Sequence, residues 1–326
     1  MSEPVAIDDS AQRPRVALAL IHWRRVSWVV EAVESILRSD VPVAIAVINN
    51  SPEDATALEV ALGGRASVVT PGQNLGFAGA ANIAIERWLS TSIEYGAIAS
   101  HDLTVRQDTI RLLSEALDAD ETLGAVGPQV ITKLSGAGSI QDSALSSGIV
   151  RRDWLPGACL LMRRSCVAEV GGFDEVYGSY VEDRDWCWRA SKAGWGIGLV
   201  TEAHAEGRGT GDTKAEARLR INRVRFEWRR RRLLPAIREY GRIIAGAGII
   251  ASHTLDNKKW NGVEVERARA LMRSATDLRR VAARPRIWPS PAHTRLSLQR
   301  SSHQLDVCDP GPNHLDWPAS VDDPAT

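Results

Sequence analysis

Cysteine is scarce in this chain of 326 residues. The four present, Cys159, Cys166, Cys187 and Cys308, form no CxxC pair, and none has zinc-ligand spacing with a histidine. They read as reduced thiols, mostly small core residues, in a reducing compartment. Net charge is missing as well: 40 Lys and Arg balance 40 Asp and Glu, so no global field draws the molecule toward nucleic acid. No apolar run reaches the ~18–20 residues of a membrane helix, and the longest, residues 243–251, is about half that length. The opening MSEPVAIDDSAQ lacks a basic region followed by an apolar run, so it does not read as a secretion signal. There is no GxGxxG fingerprint, no Walker lysine and no internal repeat, which leaves the usual dinucleotide and P-loop readings weak.

What is present is alternation. Apolar runs at residues 16–22, 43–48, 66–69, 95–99 and 125–131 predict strands. Between them, residues 29–37, 55–62, 77–89 and 110–117 carry helical spacing, with Ser27 the expected N-cap of the first helix. This order predicts an α/β fold: a Rossmann-like, mostly parallel sheet with helices on both faces, followed by C-terminal helices. The expected division is a flexible N-terminus over 1–14 and a catalytic domain over 15–214. Within the latter, 15–131 would bind the nucleotide and 132–214 the acceptor. A basic helical region over 215–283 and a poorly ordered tail over 284–326 would follow. The Gly/Ser-rich stretch 133–153 reads as a loop or hairpin over the sheet.

In such sheets ligands bind beyond the carboxyl ends of the strands. That rule points to His22-Trp23-Arg24, Asn49-Asn50-Ser51 and Ser100-His101-Asp102. Asn49 offers an amide to a base or ribose edge, although a strand-ending turn is the readier explanation of the segment taken alone. The stretch NLGFAGAAN, Asn74 to Asn82, is a glycine-containing turn opening a helix, whose N-terminus would favour a diphosphate. Asp102 beside His101 could ligate a divalent cation or merely cap a helix. In GSYVEDRDWCWR, residues 178–189, acids crowd a first helical turn, which the macrodipole alone would favour. Glu182 and Asp185 share a face while Asp183 points elsewhere, and mutual repulsion could raise one carboxyl into the range of a useful base. Trp186 would lie near Glu182 and Asp183, either against a sugar face or simply in the core.

Taken in order, VINNS, NLGFAGAAN, SHD, GACLLMRR and GGFDEVYGSYVEDRDWCWRASKAGW resemble the family 2 glycosyltransferases, especially their rhamnosyltransferase-like branch, over roughly residues 15–232. The resemblance implies a GT-A fold and inverting transfer of a sugar from a nucleotide-diphosphate donor. It implies Asp183 as general base, with Glu182 and Asp185 orienting it or binding hydroxyls. Asp102 would hold Mg²⁺ or Mn²⁺ against the diphosphate, with His204 a weaker candidate ligand. His22, Asn49, Asn74, Gly76, Phe77, Gly79, Asn82, Ser100 and His101 would line the donor site. Gly157, Ala158, Asp185 and Trp186 would line the acceptor side. The chain departs from the family pattern at three places. Ser100 stands where the first acid of the metal motif is expected, and Asn49 where an aspartate grips the nucleotide. The imidazole expected near Gly207 is absent, His204 being three residues early.

Residues 218–232 hold eight arginines against Glu227 alone, together with Phe226 and Trp228. They suit either a helix packed on the catalytic domain or peripheral contact with a membrane through residues 218–251. The implied partners are a nucleotide-sugar donor and a glycan or lipid-linked acceptor, with no nucleic acid. The implied place is the cytoplasm, including the inner face of the cell membrane. The competing reading is a catalytically degenerate nucleotide- or glycan-binding module of the same fold, motivated by Ser100 and Asn49. A nucleotidyltransferase ranks lower, because His22-Trp23-Arg24-Arg25 has the charge of a phosphate loop but no glycine.

Overall fold

The computed structural model describes residues 13–132, 148–209, 213–256, 270, 271, 273 and 281–290. Readings that fall on residues 1–12, 133–147 and 291–326 lie outside those described. The chain begins with β1 (Val16–His22), α1 (Val26–Leu37), β2 (Val43–Asn49), α2 (Ala55–Leu62), β3 (Ser67–Val69), α3 (Gly76–Leu89) and β4 (Tyr95–Ser100). It continues with β5 (Leu103–Val105), α4 (Thr109–Ala119), β6 (Leu123–Thr132), β7 (Ile149–Arg151), β8 (Cys159–Arg163) and α5 (Arg164–Val170). The last elements are β9 (Phe173–Asp174), α6 (Glu182–Lys192), β10 (Gly196–Gly207), α7 (Thr213–Arg229), α8 (Leu233–Asp256) and β11 (Ile287–Trp288).

The main sheet runs β3-β2-β1-β4-β8-β6-β10-β5, with β7 on β10. β3, β2, β1 and β4 are parallel. β8 is antiparallel to both β4 and β6, so those two run the same way, and β10 is parallel to β6. Only the short edge pieces β5 and β7 and the inserted β8 oppose the common direction among the described strands. The mostly parallel sheet expected from the alternation is therefore present.

Every residue of β1 is buried, as expected of a strand covered on both faces. Its two faces differ in size. Ala17, Ala19 and Ile21 face the cluster containing α3, α5 and α6, whereas Val16, Leu18 and Leu20 face α1, α2 and α4. Small residues on the first face let α3 sit close, its own Ala78, Ala80, Ala81 and Ala84 completing the contact. Trp88 fills the space under β4, where a Cβ on Gly96 would lie 2.3 Å from its ring.

Two expectations change. α1 begins at Val26 with Arg25, not Ser27, at the cap, because Arg24 and Arg25 both adopt left-handed backbone. Residues 285–290, read from sequence as aperiodic tail, return to the α/β unit. β11 pairs antiparallel with β9, and the Arg286 amide donates to Asp174 (2.8 Å).

Asp174 is the node of this seam. It is fully buried and accepts from Arg225 and Arg229, each at 2.9 Å. Arg229 also reaches Asp185 at 2.7 Å. A buried carboxylate with complete partners persists, but removing one partner strands a charge in low dielectric. Arg225→Met should lower unfolding free energy by about 3–5 kcal/mol, measured by urea denaturation; a change below about 1 kcal/mol would show that the pair does not hold the seam.

Candidate active site at the carboxyl edge of the sheet

Parallel pairing brings the ends of three strands together: His22 lies opposite Asn49, and Ile21 opposite Ser100. The segments that follow are mostly occupied with one another. The buried Asn49 side chain accepts from the Ser51 amide (2.9 Å) and donates to Thr70 (3.2 Å), so it builds a turn. Asn50 grips the glycine turn instead, donating to the Gly76 carbonyl (2.9 Å) and accepting from the Leu75 amide (3.2 Å).

The first turn of α3 is not a free anion site, contrary to the sequence expectation. The Gly76 amide donates to Asn74 (2.8 Å), Phe77 to the Ser179 hydroxyl (3.0 Å) and Ala78 to the Gly178 carbonyl (2.8 Å). The amides that a helix leaves unpaired are already satisfied by protein. Gly76 is required twice over: its φ is +73°, and a Cβ would sit 2.7 Å from the Gly178 oxygen. A Cβ on Gly79 would meet that of Leu75 at 2.8 Å. Asn82 is also diverted. It is buried and pins Phe173, accepting from its amide (2.8 Å) and donating to its carbonyl (3.1 Å).

His22 and His101 turn inward. Both are buried, their rings meet edge to face at 5.3 Å, and Trp28 stacks on His101 at 5.9 Å. His22 bonds Asp54 (3.0 Å), yet burial still lowers its pKa. Burial pushes His101 down to about 4, and its Nδ1 meets the Ile21 carbonyl at 3.1 Å. Both are neutral supports behind the site rather than donor contacts.

The same accounting tests a metal. Mg²⁺ or Mn²⁺ needs several converging oxygen or imidazole donors. Among the described residues no three His, Cys, Asp or Glu side chains gather. Of the two Asp102 oxygens, one accepts from the Ser100 hydroxyl and the other from the Gly209 amide (2.9 Å). His204 is not its neighbour. The Arg208 amide reaches the Asp102 carbonyl (3.3 Å), and β10 carries His204 four positions back along an extended strand, about 13 Å away. The donor set does not fit a protein-held divalent ion. What does face the edge is basic. The guanidinium groups of Arg25 and Arg208 lie 4.7 and 5.4 Å from the Trp28 ring centre, and that of Arg24 lies 4.8 Å from Trp23.

α6 begins at Glu182, after a strained approach. Gly178, Tyr180 and Val181 have φ of +67°, +73° and +75°. For a β-branched residue this is rare, and such conformations cost roughly 1–3 kcal/mol each. Asn222 of α7 holds the loop. Fully buried, its amide nitrogen lies 2.9, 3.0 and 2.8 Å from the carbonyls of Tyr177, Ser179 and Tyr180. No sequence signal singles out this asparagine in an arginine-rich helix.

The loop delivers Asp183 to Gly157, whose amide donates to it at 2.7 Å, as does that of Arg184 at 2.7 Å. A Cβ on Gly157 would meet Asp183 at 3.3 Å and Phe77 at 3.5 Å, so three segments remote in sequence converge on one point. Burial raises the Asp183 pKa against these two amides. Glu182 is more deeply buried, one of its oxygens has no partner among the described residues, and burial followed by the Asp183 charge raises it well above the usual range. Ala158, half-buried beside this point, accepts from the Ser100 amide (2.9 Å).

Asp185 and Trp186, expected to meet acceptor, do not. Asp185 is fully buried and bonded by Tyr177 (3.1 Å), Arg189 (2.9 Å) and Arg229 (2.7 Å). Trp186 is fully buried, donates to the Gly171 carbonyl (2.9 Å) and packs on Phe173. A face shared by Glu182 and Asp185 turns out to be the inward face.

Residues 20–156 match the family described as glycosyl transferase family 2. An N-acetylglucosaminyl-diphospho-decaprenol L-rhamnosyltransferase of Mycobacterium tuberculosis is 60% identical over 42 residues, 13% of this chain and 14% of that protein. An uncharacterized protein of Mycobacterium bovis is 29% identical over 161 residues, 46% of this chain and 61% of that one. The chain thus spans less than two thirds of either relative. Among solved structures, a mannosyltransferase from Pyrobaculum calidifontis in complex with GDP-Man and Mn²⁺ superposes with a TM-score of 0.52 at 15% identity, covering 84% of this chain and 89% of that one. GalNAc-T7 with UDP, GalNAc and Mn²⁺ gives 0.52 at 12%, covering 65% and 47%. These likenesses define the fold as GT-A.

Two measurements check the acid loop. Asn222→Ala should lower stability by about 1–3 kcal/mol by leaving buried carbonyls unpaired, and amide exchange should accelerate first around residues 180–185. Unchanged exchange there would remove Asn222 as the brace. Glu182 holds its proton to higher pH in the fold than in the unfolded chain, so ionising it costs stability as pH rises. Glu182→Gln should therefore gain Tm over the parent by a margin small near pH ~4 and wider toward neutral pH; a margin that shrinks with pH would refute the assignment.

Proposed function

We propose that this protein transfers a sugar from a nucleotide-diphosphate donor to an acceptor hydroxyl with inversion at the anomeric carbon, Asp183 serving as general base. The observation that carries the reading is the meeting of Asp183, Gly157 and Phe77 at one point on the carboxyl edge of the sheet. The family 2 match supports it, and so do GT-A neighbours whose complexes hold UDP or GDP-Man. The acceptor oxygen attacks the anomeric carbon as Asp183 takes its proton. The bond from that carbon to the diphosphate oxygen breaks, and the electron pair leaves with the nucleoside diphosphate. One base on the face opposite the leaving group suffices, so no sugar–enzyme intermediate forms. Glu182, protonated behind Asp183, keeps a second negative charge away from it. Phe77, Gly157 and Ala158 line the space between donor and acceptor, and the exposed Asn74 lies at the donor rim. Asp102 is a single carboxylate already bonded at both oxygens, and no step is assigned to a divalent ion.

A lipid-linked acceptor agrees with the activity for which the rhamnosyltransferase relative is named and with one surface of this chain. Leu233, Leu234, Ile237 and Ile244 of α8 are exposed, beside exposed Trp228, Arg231 and Arg232. No helix among the described residues is long and apolar enough to cross a membrane, so contact would be peripheral, with apolar side chains at the interface and arginines on anionic headgroups. Arg225 and Arg229 are excluded from that role by their internal ion pairs.

Asp183→Asn should reduce sugar transfer by about 10²–10⁴-fold with donor affinity unchanged, followed by nucleotide release over a panel of nucleotide sugars and polyprenyl-diphosphate acceptors. Normal turnover would end the assignment. Donor binding without transfer by the parent protein across the panel would favour a binding module. The acid limb of the parent's pH–rate profile should lie above the ordinary carboxylate value of ~4, since only ionised Asp183 accepts the proton. Leu234→Glu with Ile237→Glu should weaken sedimentation with anionic vesicles while transfer to a soluble acceptor analogue persists.

A further inference from the structure

We propose that Arg25 and Arg208, gathered on Trp28 at the end of β1, bind the donor diphosphate in place of a divalent cation. The inference rests on the glycosyl-transfer reading and adds to it how the leaving group is neutralised.

Elimination and placement lead to it together. A diphosphate at this edge could meet the first turn of α3, the two histidines or an ion on Asp102. The α3 amides are consumed by Asn74, Ser179 and Gly178. His22 and His101 are buried, their rings meeting edge to face with Trp28 stacked over His101. Asp102 is a lone carboxylate already bonded at both oxygens. The remaining polar groups are cations. Arg25 is exposed, and among the described residues no ion-pair partner is recorded for it or for Arg24. Arg208 has one partner, Glu31. Both Arg25 and Arg208 contact the same indole, so two like charges are collected on one platform. Glu31 offsets the charge of Arg208 while that of Arg25 stays uncompensated, and a planar guanidinium fork matches phosphate oxygens.

Two further features agree. Arg24 and Arg25 are consecutive residues in left-handed backbone, at φ +59° and +60°, where neither is glycine. Strain of this kind collects at ligand clamps. Ser51 secures the turn by accepting from the Arg24 amide (2.8 Å). Asp102, for its part, holds the 208–209 turn through the Gly209 amide and its own carbonyl. The residue left from a metal motif thus becomes the buttress of an arginine. As the anomeric carbon–oxygen bond breaks, the negative charge on the departing diphosphate oxygen falls beside the two guanidinium groups while the proton passes to Asp183.

The test is calorimetry on the full chain with UDP, GDP, dTDP and inorganic pyrophosphate, in excess EDTA and again with Mn²⁺. Binding of a nucleoside diphosphate and of pyrophosphate in EDTA, unchanged by Mn²⁺, is expected. Arg25→Gln and Arg208→Gln should each weaken it by about 10- to 100-fold. Arg111→Gln, a surface arginine paired with Asp40 and Glu115, should not. Should Arg208→Gln fail to fold, the exposed Arg25→Gln alone decides. Binding that requires Mn²⁺, or that survives both substitutions, overturns the clamp and leaves the donor-site reading standing. Failure of every nucleoside diphosphate to bind under either condition overturns the donor-site reading itself.

Discussion

The buried charge on Asp174 governs how this molecule is assembled around its acids. A carboxylate with no exposure needs compensating donors, and here four supply them: Arg225 and Arg229 on α7, the amide of Val176, and the amide of Arg286 before β11. Arg229 extends the network to Asp185, two residues beyond the candidate base. The basic stretch that reads from sequence as a surface for anions is thus partly an internal brace. Its outer members remain free for solvent or headgroups, but its inner members fix α7 against α6.

That brace makes the strained loop possible. Left-handed backbone at Tyr180 and Val181 persists only when the surroundings over-determine it. Asn222 gathers three carbonyls of the loop from one side, while Phe77 and Ala78 reach it from the other. The donor-side helix is thereby tied to the loop that leads into the acid-bearing helix. Both are keyed to residues 177–181, and the position of Asp183 relative to Phe77 is a property of that loop.

Most of the sheet was legible because buried parallel strands are continuous apolar runs and their helices carry a clear period. The antiparallel insertion of β8 was not, since a run such as CLLMR looks the same in either direction. β5, β7 and β11 have two or three residues and fall below any pattern. In the site, the acid cluster stood out by composition, but periodicity groups residues by face without saying which face is inward. Asp185 and Trp186 were misassigned for that reason. Asn49, Asn82 and His22 were misread because an amide or imidazole suited to a ligand is equally suited to a turn or a core. Asn222 was invisible: its role depends on a contact across more than forty positions.

The pairing of β9 with β11 bears on how the chain is made. A ribosome releases residue 174 long before residue 286, and synthesis runs at about 5–20 residues per second. Until the late strand emerges, the nascent polypeptide carries an ionised aspartate lacking one of its compensating donors and a β9 edge without its β11 neighbour. The seam beside the acids therefore closes only once residues 286–288 have emerged, and the order of the acid-bearing loop waits on a segment far downstream of it.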